Sequence, residues 1–455
     1  MPAHLAGRRA LLLGAYVALA LLASALIVAG ALLAGPHRAG GRPPPAQGWL
    51  TVAGDALALL VLSLASLQFL LSSRYRWMER PWGLDRLLRL HRRMGPVIGV
   101  LVITHPSVLA AALALLADAR SSDLYAHFAD GAVWLGALAA AAVGVQLLTT
   151  YFVEEMGLTF ERWRAVHQAA VVVVVAGFLH AWDIGPHFAR PGLVGALAAG
   201  WLGVVLATVV YRKVIKPARL RRKAYRVVEV RQETHDTWTV RMAPPAGEVF
   251  SYLPGQFIFL TLYRQGFRPE EHPFTLSSSP ARRDAITVTP KAIGDFTSTI
   301  KETRAGDLAA IDGPYGRFTY LDVAGRPLLL ISGGVGITPF ASYLRHVRDT
   351  RSATDLLLID ANKASADILF RTELEEIAAS CPNVRIVHVL SAAEATWEGA
   401  RGYVDEAFLR EHVPDIADRV VFLCGPPPMM RLVRRALSRL GVPPSRIRFE
   451  EFRLR

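Results

Sequence analysis

Residues 91–105 read HRRMGPVIGVLVITH, and residues 167–180 read HQAAVVVVVAGFLH. Each is an apolar run with a histidine at either end, and ionisable groups are costly enough in hydrocarbon that they usually face a bundle interior and carry a task. A rise of about 1.5 Å per residue places the two histidines of one run about 20 Å apart along a helix axis. If both helices point the same way, His91 and His167 share one depth and His105 and His180 the other. Two imidazoles facing each other at one depth can supply both axial ligands of a haem iron, so two levels make a ladder of two haems. The 14 residues between His91 and His105 leave both on nearly one face. The 13 between His167 and His180 leave them roughly 140° apart on an ideal helix. The second helix is therefore expected to bulge or twist, a π-bulge being the usual device. Two plainer readings compete: histidines that only hydrogen-bond within a bundle, and a proton relay, which usually brings buried carboxylates with it.

The composition agrees with a membrane setting. Of 455 residues, 52% are hydrophobic and 20% charged, against about 45–50% and about 25% in soluble domains. Runs that can cross a core of about 30 Å occupy 10–33, 50–71, 94–117, 128–152, 166–182 and 193–211. The first follows Arg8 and Arg9 like a signal peptide, but its apolar run exceeds the roughly 7–15 residues of a signal core, so an uncleaved helix is expected. Lys and Arg number 51 against 38 Asp and Glu, a net charge of +13. This excess is mostly topological. Arg74, Arg76, Arg80, Arg86, Arg89, Arg92 and Arg93 lie between the second and third runs, and a second basic cluster from Arg212 to Lys223 follows the sixth. By the positive-inside rule the amino terminus, both clusters and everything after the sixth run are cytoplasmic, in a plasma-membrane protein. Nucleic-acid binding is not expected, because no basic patch interleaved with aromatics occurs in the second half. The two cysteines, Cys381 and Cys424, form no C-x-x-C, and neither a disulfide nor a zinc site is expected.

From 224 to 318 short alternating strands (225–230, 237–242, 256–262 and 285–288) separated by turns suit a small antiparallel barrel. Two stretches stand out within it. One is His272-Pro273-Phe274-Thr275-Leu276-Ser277-Ser278-Ser279. The other is Lys291-Ala292-Ile293-Gly294-Asp295-Phe296-Thr297, opening a short helix where amides and a cation could hold a diphosphate. From 326 onward strands alternate with helices. Strand 327–332 runs into Gly333-Gly334-Val335-Gly336-Ile337-Thr338-Pro339, a glycine turn that lets a pyrophosphate approach the backbone. Strand 355–359 leads to Asn362-Lys363, and strand 419–423 ends at Cys424-Gly425-Pro426. Ligands bind at such strand ends in open parallel sheets.

In this order, the two histidine pairs, H-P-F-T, G-D-F-T, G-G-V-G-I-T-P and C-G-P-P resemble the NADPH oxidase and ferric reductase superfamily over nearly the whole chain. The resemblance implies a multidomain chain: a six-helix membrane bundle over 1–215, an antiparallel β-barrel binding FAD over 216–322, and a Rossmann-like α/β domain binding NAD(P)H over 323–455. It implies two b haems, the inner held by His91 and His167 and the outer by His105 and His180. His272, Pro273, Phe274 and Thr275 would border the isoalloxazine, with Thr275 near its N5. Lys291, Gly294, Phe296 and Thr297 would hold the FAD diphosphate. Gly333, Gly334, Gly336, Thr338 and Pro339 would take the nicotinamide nucleotide's phosphates, Lys363 its ribose phosphate, and Cys424, Gly425 and Pro426 would lie beside the nicotinamide. Phe452 would stack on the flavin, with Phe449 the alternative. No calcium-binding EF-hand extension or peroxidase-like domain accompanies these motifs, so calcium control is not implied. Asp360 beside Lys363 leaves NADH and NADPH open. The implied activity carries electrons from cytosolic NAD(P)H through FAD and two haems to an acceptor outside, dioxygen before ferric chelates. A channel with a vestigial reductase and a flavin reductase merely anchored by helices are the alternatives of other classes.

Overall fold

The computed structural model describes residues 46–114, 131–184 and 192–450. The chain divides into two compact units, Met1–Lys216 and Pro217–Arg455. In the first, helices α1 (Ala46–Leu71), α2 (Arg76–Trp82), α3 (Leu84–Ala114), α4 (Gly131–Tyr151), α5 (Phe160–Gln168), α6 (Ala170–Ile184) and α7 (Leu193–Val210) follow in order, and a π-helical turn at Tyr211–Ile215 extends the last. Five stretches, Trp49–Leu71, Leu84–Ala111, Gly131–Tyr151, Arg162–Asp183 and Leu193–Arg222, are long and apolar enough to span a bilayer. The expected span over 10–33 lies outside the described residues.

Two differences from the sequence reading have physical causes. Helix α3 begins ten residues before position 94, because Leu84 and Leu87, each 2% exposed, bury against the bundle and carry the helix through the arginines. Its Pro96 and Pro106 each remove an intrahelical donor. Around Pro106, the hydroxyls of Thr104 and Ser107 donate to the carbonyls four residues back, Val100 O and Ile103 O, both at 2.8 Å, which satisfies both hydroxyls inside the helix. The fifth span is not relieved by a π-bulge. It tightens at Ala169, whose N–H reaches Val166 O at 3.1 Å as well as Ala165 O at 3.2 Å, while Val172 N–H reaches Ala169 O at 2.9 Å. An i→i+3 turn has about 3.0 residues per turn and so adds rotation per residue. Added rotation is what a His180 lagging by roughly 140° requires; a π-turn would subtract it.

The bundle packs through Leu59, Leu62, Val174, Phe178, Ala198 and Val205. Glycines bring the helices close, as small residues do in membranes. A Cβ on Gly54 would stand 2.5 Å from Leu109, and one on Gly99 would stand 2.4 Å from Leu147.

The second unit holds two sheets. Strands β1 (Tyr225–Thr234), β2 (Thr237–Ala243), β3 (Phe257–Tyr263), β4 (Glu271–Thr275), β5 (Ile286–Val288) and β6 (Leu308–Tyr315) form an antiparallel sheet in the order β4-β3-β6-β1-β2-β5. A bridge from Leu276 to Val288 ties its two edges together. Strands β7 (Leu328–Gly333), β8 (Leu356–Asn362), β9 (Val384–Leu390), β10 (Ala400–Arg401), β11 (Val420–Cys424) and β12 (Ile447–Glu450) form a parallel sheet in the order β10-β9-β8-β7-β11-β12. Both faces of this sheet are covered, which explains its unbroken apolar strands. Leu328, Leu330, Leu356, Leu358 and Phe422 point into one core; Leu329, Ile331, Leu357, Ile359 and Leu423 point into the other.

The sheets are fastened by the helix Thr338–Thr350 that follows β7. Ser342 Oγ donates to Ser278 O at 2.6 Å, and Arg345 Nη1 donates to Ser277 O at 2.6 Å while its other nitrogens grip Glu373. Burial alone would raise the Glu373 carboxyl, but Arg345 and Arg348 outweigh it and hold the group below the usual carboxylate range. At the foot of β11, buried Arg419 donates to Asp415 at 2.9 Å, Leu328 O at 3.0 Å and Asp355 at 3.1 Å. Removing these charge-assisted bonds in Arg419→Ala is expected to cost about 2 kcal/mol. Thermal unfolding followed by circular dichroism should then show the transition of this unit lowered by roughly 4–8 °C.

Candidate functional site

In the helical unit the four histidines meet in two pairs. The rings of His91 on α3 and His167 on α5 have centroids 5.8 Å apart and planes crossing at 78°. Those of His105 on α3 and His180 on α6 are 6.5 Å apart at 79°. Two imidazoles each bonded at about 2 Å to one metal would have centroids roughly 6 Å apart. The tightened turn at Ala169 places His167 and His180 on different helices, yet both face α3.

The outer pair is held by backbone. His105 Nδ1 lies 2.8 Å from Gly54 O, and His180 Nδ1 lies 2.7 Å from Ala132 O. A carbonyl only accepts, so in each ring Nδ1 carries the proton and donates, and the neutral ring keeps its lone pair on Nε2. Metal-ligating histidines are oriented in this way. Glycine makes each seat possible: Gly54 supplies one carbonyl, and Gly136, one turn beyond Ala132, makes room for the other ring, since a Cβ there would lie 2.5 Å from His180. In the inner pair, Nδ1 of His91 and of His167 are buried without a hydrogen-bond partner. Trp163 stacks on His167 at 5.2 Å, and its Nε1 donates to Thr150 Oγ1 at 3.3 Å. Four imidazoles with free nitrogens at two depths are a donor set that fits two bis-histidine irons.

In the second unit, β4 carries His272 to Thr275. His272 stacks on Phe296 at 4.1 Å, and its Nε2 is hydrogen-bonded to Glu270 at 3.1 Å. Phe274 lies 6.2 Å from the same Phe296 ring. The three serines that follow are occupied: Ser277 with Thr287 and Thr289, Ser278 with Tyr252, and Ser279 with the Ala281 amide. Thr275 differs. Its Oγ1 is buried with no partner, an opening suited to a ligand atom. The neighbouring loop is more self-contained than its sequence suggests. Lys291 Nζ is 3.0 Å from the Asp236 carboxylate. Burial raises the Asp236 carboxyl, yet its bonds to Lys291, Thr237 and Thr234 leave it lowered on balance. Thr297 Oγ1 accepts from Ile293 N at 3.1 Å and Gly294 N at 2.9 Å, so this threonine shapes the loop. A diphosphate there competes with partners already in place.

In the parallel sheet the glycine turn after β7 and the turn after β11 meet where strand order reverses, the position at which open sheets bind ligands. Here most glycines serve packing between turns. A Cβ on Gly333 would lie 2.6 Å from Met429 Sδ, and one on Gly336 would lie 2.4 Å from Cys424 O; one on Gly425 would lie 2.7 Å from Met429 Cε. Gly334, at φ +53°, faces open space. Thr338 Oγ1 donates to Val335 O at 3.0 Å, and Pro339 opens the helix that follows.

Register aligns His388, Asp360, Ser332, Cys424 and Glu450 across β9, β8, β7, β11 and β12. The sequence reading missed this row because its members lie far apart in the chain. Asp360, 1% exposed, accepts from Ser332 Oγ at 2.6 Å and Asn362 Nδ2 at 2.8 Å, with His388 Nδ1 at 3.2 Å. Its carboxylate is buried and already accepts three hydrogen bonds. Lys363, next along, is exposed. Phe449 is half exposed under the Arg434 guanidinium, 4.4 Å away, and Phe452 lies outside the described residues.

Comparison with known proteins follows this division. Residues 57–178 match the family described as ferric reductase like transmembrane component, residues 222–319 an FAD-binding domain, and residues 330–435 an oxidoreductase NAD-binding domain. The chain belongs to the NADPH oxidase and ferric reductase superfamily. The three matches follow one another as a transmembrane helical domain, an FAD-binding domain and a nicotinamide-nucleotide-binding domain, which is the architecture of that superfamily; the chain spans under two thirds of the length of the first curated relatives it matches. The chain is 34% identical over 233 residues to the glycine betaine monooxygenase reductase subunit of Chromohalobacter salexigens, spanning 50% of this chain and 63% of that protein. It is 31% identical over 242 residues to NADH-cytochrome b5 reductase 1 of Neosartorya fischeri, 50% of this chain and 77% of that one. The FAD/NAD-binding domain of a Vibrio cholerae nitric oxide dioxygenase superposes with TM-score 0.46 at 24% identity, covering 50% of this chain and 98% of that one.

Cys424 is fully buried, and burial followed by the Glu450 carboxylate pushes its thiol well above the ordinary value. It is therefore the neutral thiol at neutral pH, whereas Cys381 is partly exposed. Iodoacetamide at pH 8 is expected to label Cys381 in the native reductase and Cys424 only after denaturation, as peptide mass spectrometry would read.

Proposed function

We propose that this oxidoreductase carries electrons from cytosolic NADH or NADPH through FAD and two b-type haems to an acceptor across the plasma membrane, with dioxygen as that acceptor. The observation that carries the reading is the pair of imidazole pairs at two depths on α3, α5 and α6, spaced as axial ligands require. His91 and His167 would hold the inner iron, and His105 and His180 the outer. Bound haem and flavin supply the redox chemistry; the chain supplies ligands, orientation and a dry path. Gly54 O and Ala132 O fix the outer rings as Nδ1–H tautomers, presenting Nε2 to the metal.

On the reductase side, His272, Pro273, Phe274 and Thr275 would border the isoalloxazine, the unpartnered Thr275 hydroxyl being available to a ring nitrogen. Phe296 and the loop amides organised by Thr297, with Gly294 and Lys291, would hold the diphosphate once Lys291 leaves Asp236. Gly333, Gly334, Gly336, Thr338 and Pro339 would receive the nucleotide phosphates, Lys363 the ribose, and Cys424, Gly425 and Pro426 the nicotinamide. Phe452 would cover the flavin. The arginine clusters favour a cytoplasmic side for both nucleotide-binding domains.

Pyridine haemochrome and flavin assays on the purified protein are expected to give two haems and one FAD per chain. His105→Ala should leave one haem and abolish acceptor reduction, while NAD(P)H still bleaches the flavin. Two haems in that variant would overturn the ligand assignment. Gly136→Val, which crowds His180 without touching a donor, should weaken the outer haem alone. Reduction sensitive to superoxide dismutase in air supports dioxygen, and anaerobic ferrozine-detected reduction of a ferric chelate at a higher rate would replace it.

A further inference from the structure

Helix α3 carries two stripes with opposite characters. Leu84, Leu87, His91, Ile98 and His105 follow the helical repeat on the inward face, three of them buried apolar side chains. On the opposite face, Arg86, Arg89, Arg93, Val97 and Val100 recur at spacings of 3, 4, 4 and 3 residues, which is one continuous line along a helix. All five are exposed, Val97 at 51% and Val100 at 64%. Among the described residues, none of the three arginine side chains has a hydrogen-bond or ion-pair partner, and exposed Asp85 pairs with none of them.

Val97 and Val100 lie within a stretch long and apolar enough to cross the bilayer, where an exposed apolar stripe suits lipid tails. Four residues earlier, at Arg93, the same line becomes cationic. Arg86 and Arg93 are about 10 Å apart along the axis, so a line that leaves the hydrocarbon after Val97 runs through the headgroup layer, about 5–7 Å thick on each side. A guanidinium at that depth, on a lipid-facing line, meets phosphodiester oxygens, and its planar fork suits them better than an ammonium would. We propose that Arg86, Arg89 and Arg93 form a binding surface for anionic phospholipid headgroups that anchors the histidine-bearing helix at its depth. Whether the histidines bind haem does not affect this proposal.

The test uses the full chain purified in a mild detergent. Phosphatidylglycerol added to the micelles is expected to raise the melting temperature by roughly 5 °C. Phosphatidylcholine and inorganic phosphate should each leave it unchanged, and 1 M salt should weaken the effect. The triple variant R86Q/R89Q/R93Q should lose most of the shift and, by native mass spectrometry, most retained phosphatidylglycerol, with unchanged flavin content. The matching R86K/R89K/R93K variant should recover part of both. Single variants should each lose about a third, which keeps the test decisive if the triple variant does not accumulate. An unchanged response in the variants, an equal shift with phosphatidylcholine, or a shift reproduced by inorganic phosphate would each overturn the proposal.

Discussion

An imidazole in hydrocarbon has two nitrogens, and both need an assignment. That requirement organises the helical unit. In the outer pair the problem is solved by helix backbones: Gly54 O, inside α1, and Ala132 O, in the first turn of α4, each take an Nδ1–H. A carbonyl oxygen has two lone pairs, so it can serve the ring and its own helix together. Access to such a carbonyl is steric. It exists only where small residues let the helices approach, which is why Gly54 and Gly136 stand beside the rings and cannot gain a Cβ without collision. With Nδ1 fixed, the chemistry of Nε2 is fixed too. The inner pair is built otherwise, with buried and unpartnered Nδ1 atoms and a tryptophan against one ring.

The reductase unit meets a related constraint with different means. Its parallel sheet is apolar on both faces, so polar work is confined to the carboxyl ends of the strands. There, turns from β7 and β11 pack so tightly that Gly333, Gly336 and Gly425 are required by the neighbouring turn. Side chains that might have faced a ligand are instead engaged with one another: Asp360 by Ser332, Asn362 and His388, and Lys291 by Asp236. Thr275 Oγ1, buried without a partner, and exposed Lys363 are therefore more informative than the engaged side chains.

Much of this was legible in the sequence, and the remainder was hidden for identifiable reasons. Apolar runs with terminal histidines predict which rings meet, because helical rise alone sets their depths. The mismatch between 14 and 13 residues predicts a distortion in the fifth span but not its kind, since a tightened turn and a π-bulge both depend on packing. Strand β6 escaped notice because Leu308–Tyr315 ends in Gly-Pro-Tyr and reads as a turn. Partners that are backbone atoms, such as Gly54 O, leave no residue type to recognise. Nor does sequence show whether a conspicuous side chain is already occupied, as with Asp360. Phe452 and the span over 10–33 lie outside the described residues.

Helix α3 shows how the two requirements coexist on one element. A period of 3.6 residues gives it separate lines for separate neighbours. One line holds His91 and His105 toward the bundle, while the opposite line passes from Arg86, Arg89 and Arg93 to Val97 and Val100 toward lipid. The helix must therefore begin at Leu84, well before its apolar stretch, for the arginine line and the first histidine to share one rigid rod. A helix starting at position 94 would leave His91 on a loop, free to rotate away from His167. The early start, secured by buried Leu84 and Leu87, is what makes a histidine at the membrane edge as well placed as one near its middle.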